Sequence, residues 1–137
     1  MDYDEYRAAH FVEPQPEPQF GFTQAGGPTL WFTEYEAAVE FYSEALGPPN
    51  YSEGDTTRGW RIGSSWLTLF AGGDGHPENV EVGFEMESPH EADRLQRAFI
   101  EAGGTGADPS DSLMYAPVHS CFVTDPFGTD IHVFAWR

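Results

Sequence analysis

The stretch Asp125-Pro-Phe-Gly-Thr-Asp-Ile-His-Val-Phe-Ala-Trp136 restricts what this chain can fold into more than any other. Pro presets one dihedral and Gly accepts positive φ, so Asp125, Pro126 and Gly128 spell a tight turn. The alternating run behind them spells a strand. Alternation sends Ile131, Val133 and Ala135 to one face and His132, Phe134 and Trp136 to the other. The aliphatic face suits a helix. The second face sets an imidazole between large aromatics, which suits the wall of a ligand cavity.

The same pattern occurs earlier. Trp66-Leu-Thr-Leu-Phe-Ala71 matches Asp130–Ala135 position for position, with Thr68 where the later copy has His132. Each copy follows a strand and a helix that ends in Gly: Leu30–Thr33, Glu34–Leu46 and Gly47, then Val82–Met86, Pro89–Ala102 and Gly103. The chain therefore reads as two copies of one small module. A length of 137 residues fits one domain built from two such halves around a shared core.

Charge excludes several partners. The formal net charge is −17, and every basic residue is Arg, with no Lys. Nucleic acid and anionic membranes both require a positive footprint, so neither is expected as a partner. Such a surface repels itself at low ionic strength, and ~1 M salt removes most of that cost by shortening the Debye length to roughly 3 Å. A halophilic, salt-rich cytoplasm is the expected setting, with an acidic protein of a mesophile, short of lysine by genomic bias, as the alternative. A single cysteine, Cys121, rules out an internal disulfide and fits the same reducing compartment, and its strand-like flanks suggest a buried, inert thiol. No apolar run approaches the ~20 residues of a membrane helix, and the acidic N-terminus is no export signal.

Residues 1–26 resemble neither module and form an acidic, Pro-rich arm. Asp2–His10 suits a short helix, and Glu13-Pro-Gln-Pro-Glu-Pro18 an extended segment. The aromatics Tyr3, Tyr6, Phe11, Phe20 and Phe22 suggest that the arm packs across the body or a second subunit. Residues 27–137 form the main domain, with modules at 27–75 and 79–137. In the first, Ala38, Phe41, Tyr42, Ala45 and Leu46 mark one helix face, and Tyr51–Phe70 holds two or three strands with turns at Gly54-Asp55 and Gly63-Ser64. Gly72-Gly-Asp-Gly75 links the modules; it lacks the Lys and following helix of a phosphate loop. In the second, Ser88 caps a helix, Pro89 opens it and Glu91 completes a capping box, with Ala92, Leu95, Phe99 and Ala102 as the buried stripe. Asp108–Tyr115 reads as a polar loop and Val118–Val123 as the penultimate strand.

Glu36-Ala-Ala-Val-Glu-Phe-Tyr-x4-Leu-Gly47, the Leu-Thr-Leu-Phe strand, a second helix ending Ala-Gly-Gly and the Asp-Pro-Phe-Gly turn together resemble the vicinal oxygen chelate superfamily, which includes glyoxalase I, bleomycin-resistance proteins and extradiol dioxygenases. The resemblance runs from about Gly27 to Trp136. It implies an α+β fold in which two βαβββ modules with curled mixed sheets enclose a cavity in a single domain. It further implies four metal-ligand positions, which fall here on Gly27, Thr68, Glu81 and His132. Only Glu81 and His132 ligate well, and a catalytic metal normally takes three protein ligands. His119 becomes a third if its strand lies beside the last one and presents the same face.

Parity fills in the rest of the expected cavity. Trp31 and Thr29 share a face with position 27, Phe70 with Thr68, Glu85 with Glu81, and Phe134 and Trp136 with His132. Arg58 and Arg61, on one predicted strand, face opposite sides, so one of them enters the cavity to meet an anionic group, and Arg58 is the candidate. The function expected is a metal-free, cytoplasmic small-molecule-binding protein that takes an aromatic or charged organic ligand in an aromatic-lined cavity, working as a homodimer, with the modules pairing either within one chain or across the dimer. The alternative is a lyase, isomerase or dioxygenase of the same superfamily using His132 and Glu81 with a divalent Zn, Ni, Mn or Fe. Cys121 and the serines sit in no activating arrangement for nucleophilic catalysis. Nothing in the flanks of His10, His76 or His90 suggests a role beyond the surface.

Overall fold

A computed structural model describes residues 2–19, 27–73 and 80–137. Phe20, Phe22, His76 and the junction between the modules lie outside the described residues. In chain order the elements are α1 (Tyr3–His10), β1 (Thr29–Phe32), α2 (Tyr35–Leu46), β2 (Tyr51–Glu53), β3 (Thr57–Ile62), β4 (Ser65–Ala71), β5 (Glu81–Glu85), α3 (Pro89–Glu101), β6 (Thr105–Gly106), β7 (Ser110–Leu113), β8 (Pro117–Thr124) and β9 (Asp130–Trp136). This is an α+β fold with two mixed sheets. The first runs β1-β4-β3-β2 and the second β5-β9-β8-β6, with β7 also paired to β8. In each sheet the module's opening strand lies parallel to its last: Thr29 sits beside Thr68, and Gly83 beside His132. The two matched sequence stretches therefore occupy equivalent central strands.

Both sheets turn their aliphatic faces to the helices. Leu30, Phe32, Leu67 and Leu69 of the first sheet and Val82, Phe84, Ile131, Val133 and Ala135 of the second belong to one buried cluster. From α2 that cluster takes Ala38, Phe41 and Tyr42, and from α3 it takes Ala92 and Phe99. Phe41 stacks on Phe99 between the helices at 6.0 Å. Each such fully buried aromatic contributes on the order of 1.5–3 kcal/mol by leaving water. The modules thus share a core, and the open faces of both sheets are left outside it.

The turn that opens β9 connects the modules. Asp125 is 4 % exposed, and its Oδ1 accepts from the backbone N–H of Phe127 (2.9 Å) and Thr129 (2.7 Å). Its Oδ2 accepts from the Tyr42 hydroxyl of α2 at 2.9 Å. Burial, and then the adjacent carboxylate, hold the Tyr42 phenol well above its ordinary pKa, so it stays a donor. Phe127, at the tip of the same turn, packs edge-on against Phe32 and Phe41.

Local details differ from the sequence reading at three places. Ser110–Leu113, expected within a polar loop, is a strand, because β8 is long enough to pair on one edge with both β6 and β7. The capping box at α3 forms by half: Ser88 Oγ accepts from Glu91 N–H, while the Glu91 carboxylate pairs with Arg94 instead of folding back. Gln96 joins the buried stripe of α3, since its amide donates to the Ala107 and Phe122 carbonyls. The full capping box occurs instead at α1, between Asp2 and Glu5, and α1 meets the body through the Tyr3 hydroxyl and the Tyr115 carbonyl.

Asp125→Ala strands two buried backbone donors and a buried phenol, and each unmet group costs about 1–3 kcal/mol. Denaturant unfolding should show a loss of roughly 3–5 kcal/mol for that variant and about 1 kcal/mol for Tyr42→Phe, which leaves the turn itself satisfied. Equal losses for the two would mean that the turn is not held by this carboxylate.

Candidate functional site

Register decides which side chains share the open faces. On the second sheet Glu81, Gly83 and Glu85 of β5 lie beside Asp130, His132 and Phe134 of β9. Thr124, Phe122 and Ser120 of β8 lie on the other side of the same three residues. The rings form a ladder across this surface. Phe122 stacks on His132 at 4.4 Å and 12°, His132 meets Phe134 at 4.9 Å, and Phe134 meets Trp136 edge-on at 5.2 Å. Two polar contacts hold the ladder: His132 Nε2 lies 2.9 Å from Ser120 Oγ, and the Trp136 indole N–H donates to Glu85 Oε1 at 3.1 Å. Glu81 Oε1 stands 3.6 Å from His132 Nδ1.

The open face of the first sheet is built the same way. Thr29 and Trp31 of β1 lie beside Thr68 and Phe70 of β4, and β3 places Thr57, Gly59 and Arg61 beyond them. Trp31 packs on Phe70 at 5.6 Å, and Tyr51 meets Trp66 edge-on at 6.5 Å. A cleft of about 390 Å³ opens beside Tyr51, Trp66 and Phe70, with Gly59, Thr57 and Thr68 also lining it. A side chain at Gly59 would press its Cβ to 3.3 Å from the Trp66 and Tyr51 side chains, so glycine keeps the floor low. Rings on this face reach solvent: Trp31 is 50 % exposed and Trp66 38 %, much like Phe122 (41 %) and Trp136 (39 %) on the other sheet.

The expected site residues therefore divide. Trp31, Thr68 and Phe70 stand together on the first open face, and Glu81, Glu85, His132, Phe134 and Trp136 on the second. Arg58 stands on neither. It pairs in register with the buried Leu69, so its side chain leaves on the helix side, where it donates to the Gly54 and Thr57 carbonyls at 2.7 Å each. Arg61 takes the open face instead, with its guanidinium 5.4 Å above the Trp66 ring. His119 also departs from expectation. Its strand does lie beside β9, but it pairs with Ala135, so it faces α3, on the far side of the sheet from His132. Sequence reading missed Phe122 and Ser120 because the parity of β8 relative to β9 depends on the register set by the intervening turn. Tyr51 and Trp66 were open to the same parity argument once Thr68 was chosen.

The metal positions implied by the resemblance do not fit a catalytic ion. Glycine, a neutral hydroxyl, one carboxylate and one imidazole supply two good ligands where three are needed. His132 suits a neutral role. Burial lowers its pKa from the ordinary value, with the Glu81 carboxylate pulling the other way. Cys121 is buried and, as the free thiol, holds its proton: burial first, then the Asp93 hydrogen bond, push its pKa up to about 12.

Comparison with known proteins fits this geometry. The family model described as the Glyoxalase/Bleomycin resistance protein/Dioxygenase superfamily matches residues 21–133. No curated protein matches the chain in sequence. Among solved structures, a glyoxalase/bleomycin resistance protein from Albidiferax ferrireducens superposes with a TM-score of 0.69 at 20% identity, covering 81% of this chain and 98% of that one. A protein of the glyoxalase/bleomycin resistance/dioxygenase type from Nocardioides gives 0.64 at 20% identity, covering 96% and 90%. One from Burkholderia phytofirmans gives 0.64 at 16% identity, covering 82% and 98%.

Nuclear magnetic resonance of the histidine rings checks the electrostatics. His132 should become half-protonated below the ordinary ~6.5, and Glu81→Gln should lower that midpoint further by removing the attracting charge. Because the folded state then binds fewer protons than the unfolded chain, His132 favours the fold above ~6.5, and this contribution is lost as pH falls through its folded midpoint. A His132 midpoint above ~6.5 would contradict this account.

Proposed function

We propose that this chain, which belongs to the glyoxalase/bleomycin resistance protein/dioxygenase superfamily, is a small-molecule-binding protein that receives a planar aromatic cation without a metal at the family position. The observation that carries this reading is the ring ladder Phe122–His132–Phe134–Trp136, uncovered and bordered by the carboxylates of Glu81 and Glu85. A cation over a well-placed ring gains about 0.5–2 kcal/mol, and a flat ligand adds stacking of similar size. Glu81 and Glu85 give the charge a direction. A neutral His132 adds a further flat face rather than a repelling charge.

Each open face alone is half a chamber. Exposed tryptophans at 50 % and 38 % on one sheet and 39 % on the other are costly to leave in water. The reading that supplies a cover is a homodimer, in which the first sheet of one copy faces the second sheet of its partner. The ligand would then lie between Trp31 and Phe70 from one chain and the ring ladder from the other. The net charge of −17 opposes such pairing at low salt, which favours assembly in a salt-rich cytoplasm.

Acridine orange, a planar aromatic cation, tests the site in ~2 M KCl, where the short Debye length suppresses unspecific attraction to the acidic surface. Saturable binding is expected, weakened about tenfold by Phe134→Ala and by Glu85→Gln, with the anionic dye anilinonaphthalene sulfonate bound at least tenfold more weakly. The protein should sediment at twice its chain mass of 15.2 kDa. Binding indifferent to Phe134→Ala, or preference for the anion, would sink the reading.

A further inference from the structure

Behind the second sheet, on the side away from the ring ladder, three groups with metal-ligating chemistry converge. His119 and Cys121 alternate on the helix-facing side of β8, and Asp93 reaches them from α3. His119 Nε2 lies 2.8 Å from Asp93 Oδ1, and Cys121 Sγ lies 3.3 Å from the same oxygen. One ligand atom from each residue falls within 4.8 Å of the others. A fourth group stands behind them: Asp111 of β7, directly opposite His119 in register, holds His119 Nδ1 at 2.8 Å.

Carboxylates at both nitrogens of one imidazole make an unusual demand. A neutral ring carries one N–H and satisfies one carboxylate, leaving a lone pair turned to the other oxygen. Positive charge at Nε2 meets the second carboxylate, supplied by a second ring proton or by a cation held where Nε2, Oδ1 and Sγ converge. We propose that this cluster is a structural divalent-metal site of the zinc class, with Asp93, His119 and Cys121 as ligands and Asp111 as the outer carboxylate that fixes the His119 tautomer.

The geometry and the chemistry agree. Bond lengths of about 2.0–2.3 Å place tetrahedral ligands roughly 3.3–3.8 Å apart, so the His119–Asp93 pair, at 2.8 Å, opens by about half an ångström to admit the ion, while the Cys121–Asp93 pair, at 3.3 Å, already has that spacing. Imidazole, thiolate and carboxylate are the donors that zinc takes, and an Asp–His–metal relay is the usual outer arrangement. Binding displaces the thiol proton of Cys121, and the thiolate pairs with the ion. Asp93 is partly exposed, with a side chain 40% accessible, so water reaches the fourth position. The site would staple α3 to β8. It lies across the sheet from Glu81 and His132 and is independent of ligand binding there.

Cobalt(II) added to chelator-treated full-length protein tests this directly, because Cys121 is the sole cysteine and any thiolate-to-cobalt charge-transfer band must come from it. One equivalent should produce that near-ultraviolet band and be displaced by zinc. Cys121→Ser should abolish the band, and Asp111→Asn should weaken binding about 10–100-fold while preserving it. Zinc should raise the thermal midpoint of the wild-type protein and leave that of His119→Gln unchanged, with far-ultraviolet circular dichroism confirming that each variant is folded. A wild-type titration without the band overturns the proposal, whether or not zinc stabilises the protein. So does a zinc-dependent rise that survives in folded His119→Gln.

Discussion

The buried carboxylate of Asp125 carries a large part of this architecture. It closes the turn through the backbone of Phe127 and Thr129, and it takes the Tyr42 phenol from the helix of the other module. An acidic group so deeply buried is tolerated only when its oxygens are met, and here three donors meet them. The result is geometric. With the turn fixed, β9 must start at Asp130, and its alternation places His132, Phe134 and Trp136 outward while Ile131, Val133 and Ala135 enter the core.

From that constraint follows the division of the molecule into an inner and an outer half. The helices and the aliphatic sheet faces form one core, and the aromatic residues that do not fit it remain on the open faces. Chains that only needed to fold would place polar residues there, since an uncovered aromatic surface invites association. The glycine floor at Gly59 and the paired contacts His132–Ser120 and Trp136–Glu85 hold the rings of these faces in fixed positions. Preorganised rings lose little entropy on binding, which is how a modest surface gains affinity.

Much of this was legible in the sequence because period-two alternation and turn chemistry are local. The match of Trp66–Ala71 to Asp130–Ala135 gave both central strands, and the helix signals around Glu34, Ser88 and Gly103 gave the layers. What local pattern cannot supply is the register between strands. Arg58 against Arg61, and His119 against Phe122, differ in face according to which residue lies opposite a neighbouring strand, and loop geometry decides that. The short strand at Ser110–Leu113 was hidden for a related reason: three of its four residues are polar, and it exists because β8 has an edge to pair with. Tertiary bonding outweighed propensity there.

Subunit complementation tests the central claim most directly. One protein carries Trp31→Ala and Phe70→Ala on its first sheet, and a second carries Phe134→Ala on the ring ladder; each alone binds acridine orange poorly. If the chamber forms between copies, exchange of subunits creates pairs with one undamaged chamber, and random mixing restores about a quarter of the wild-type sites. A mixture that binds no better than the average of its two components would place the whole site within one chain and contradict the account.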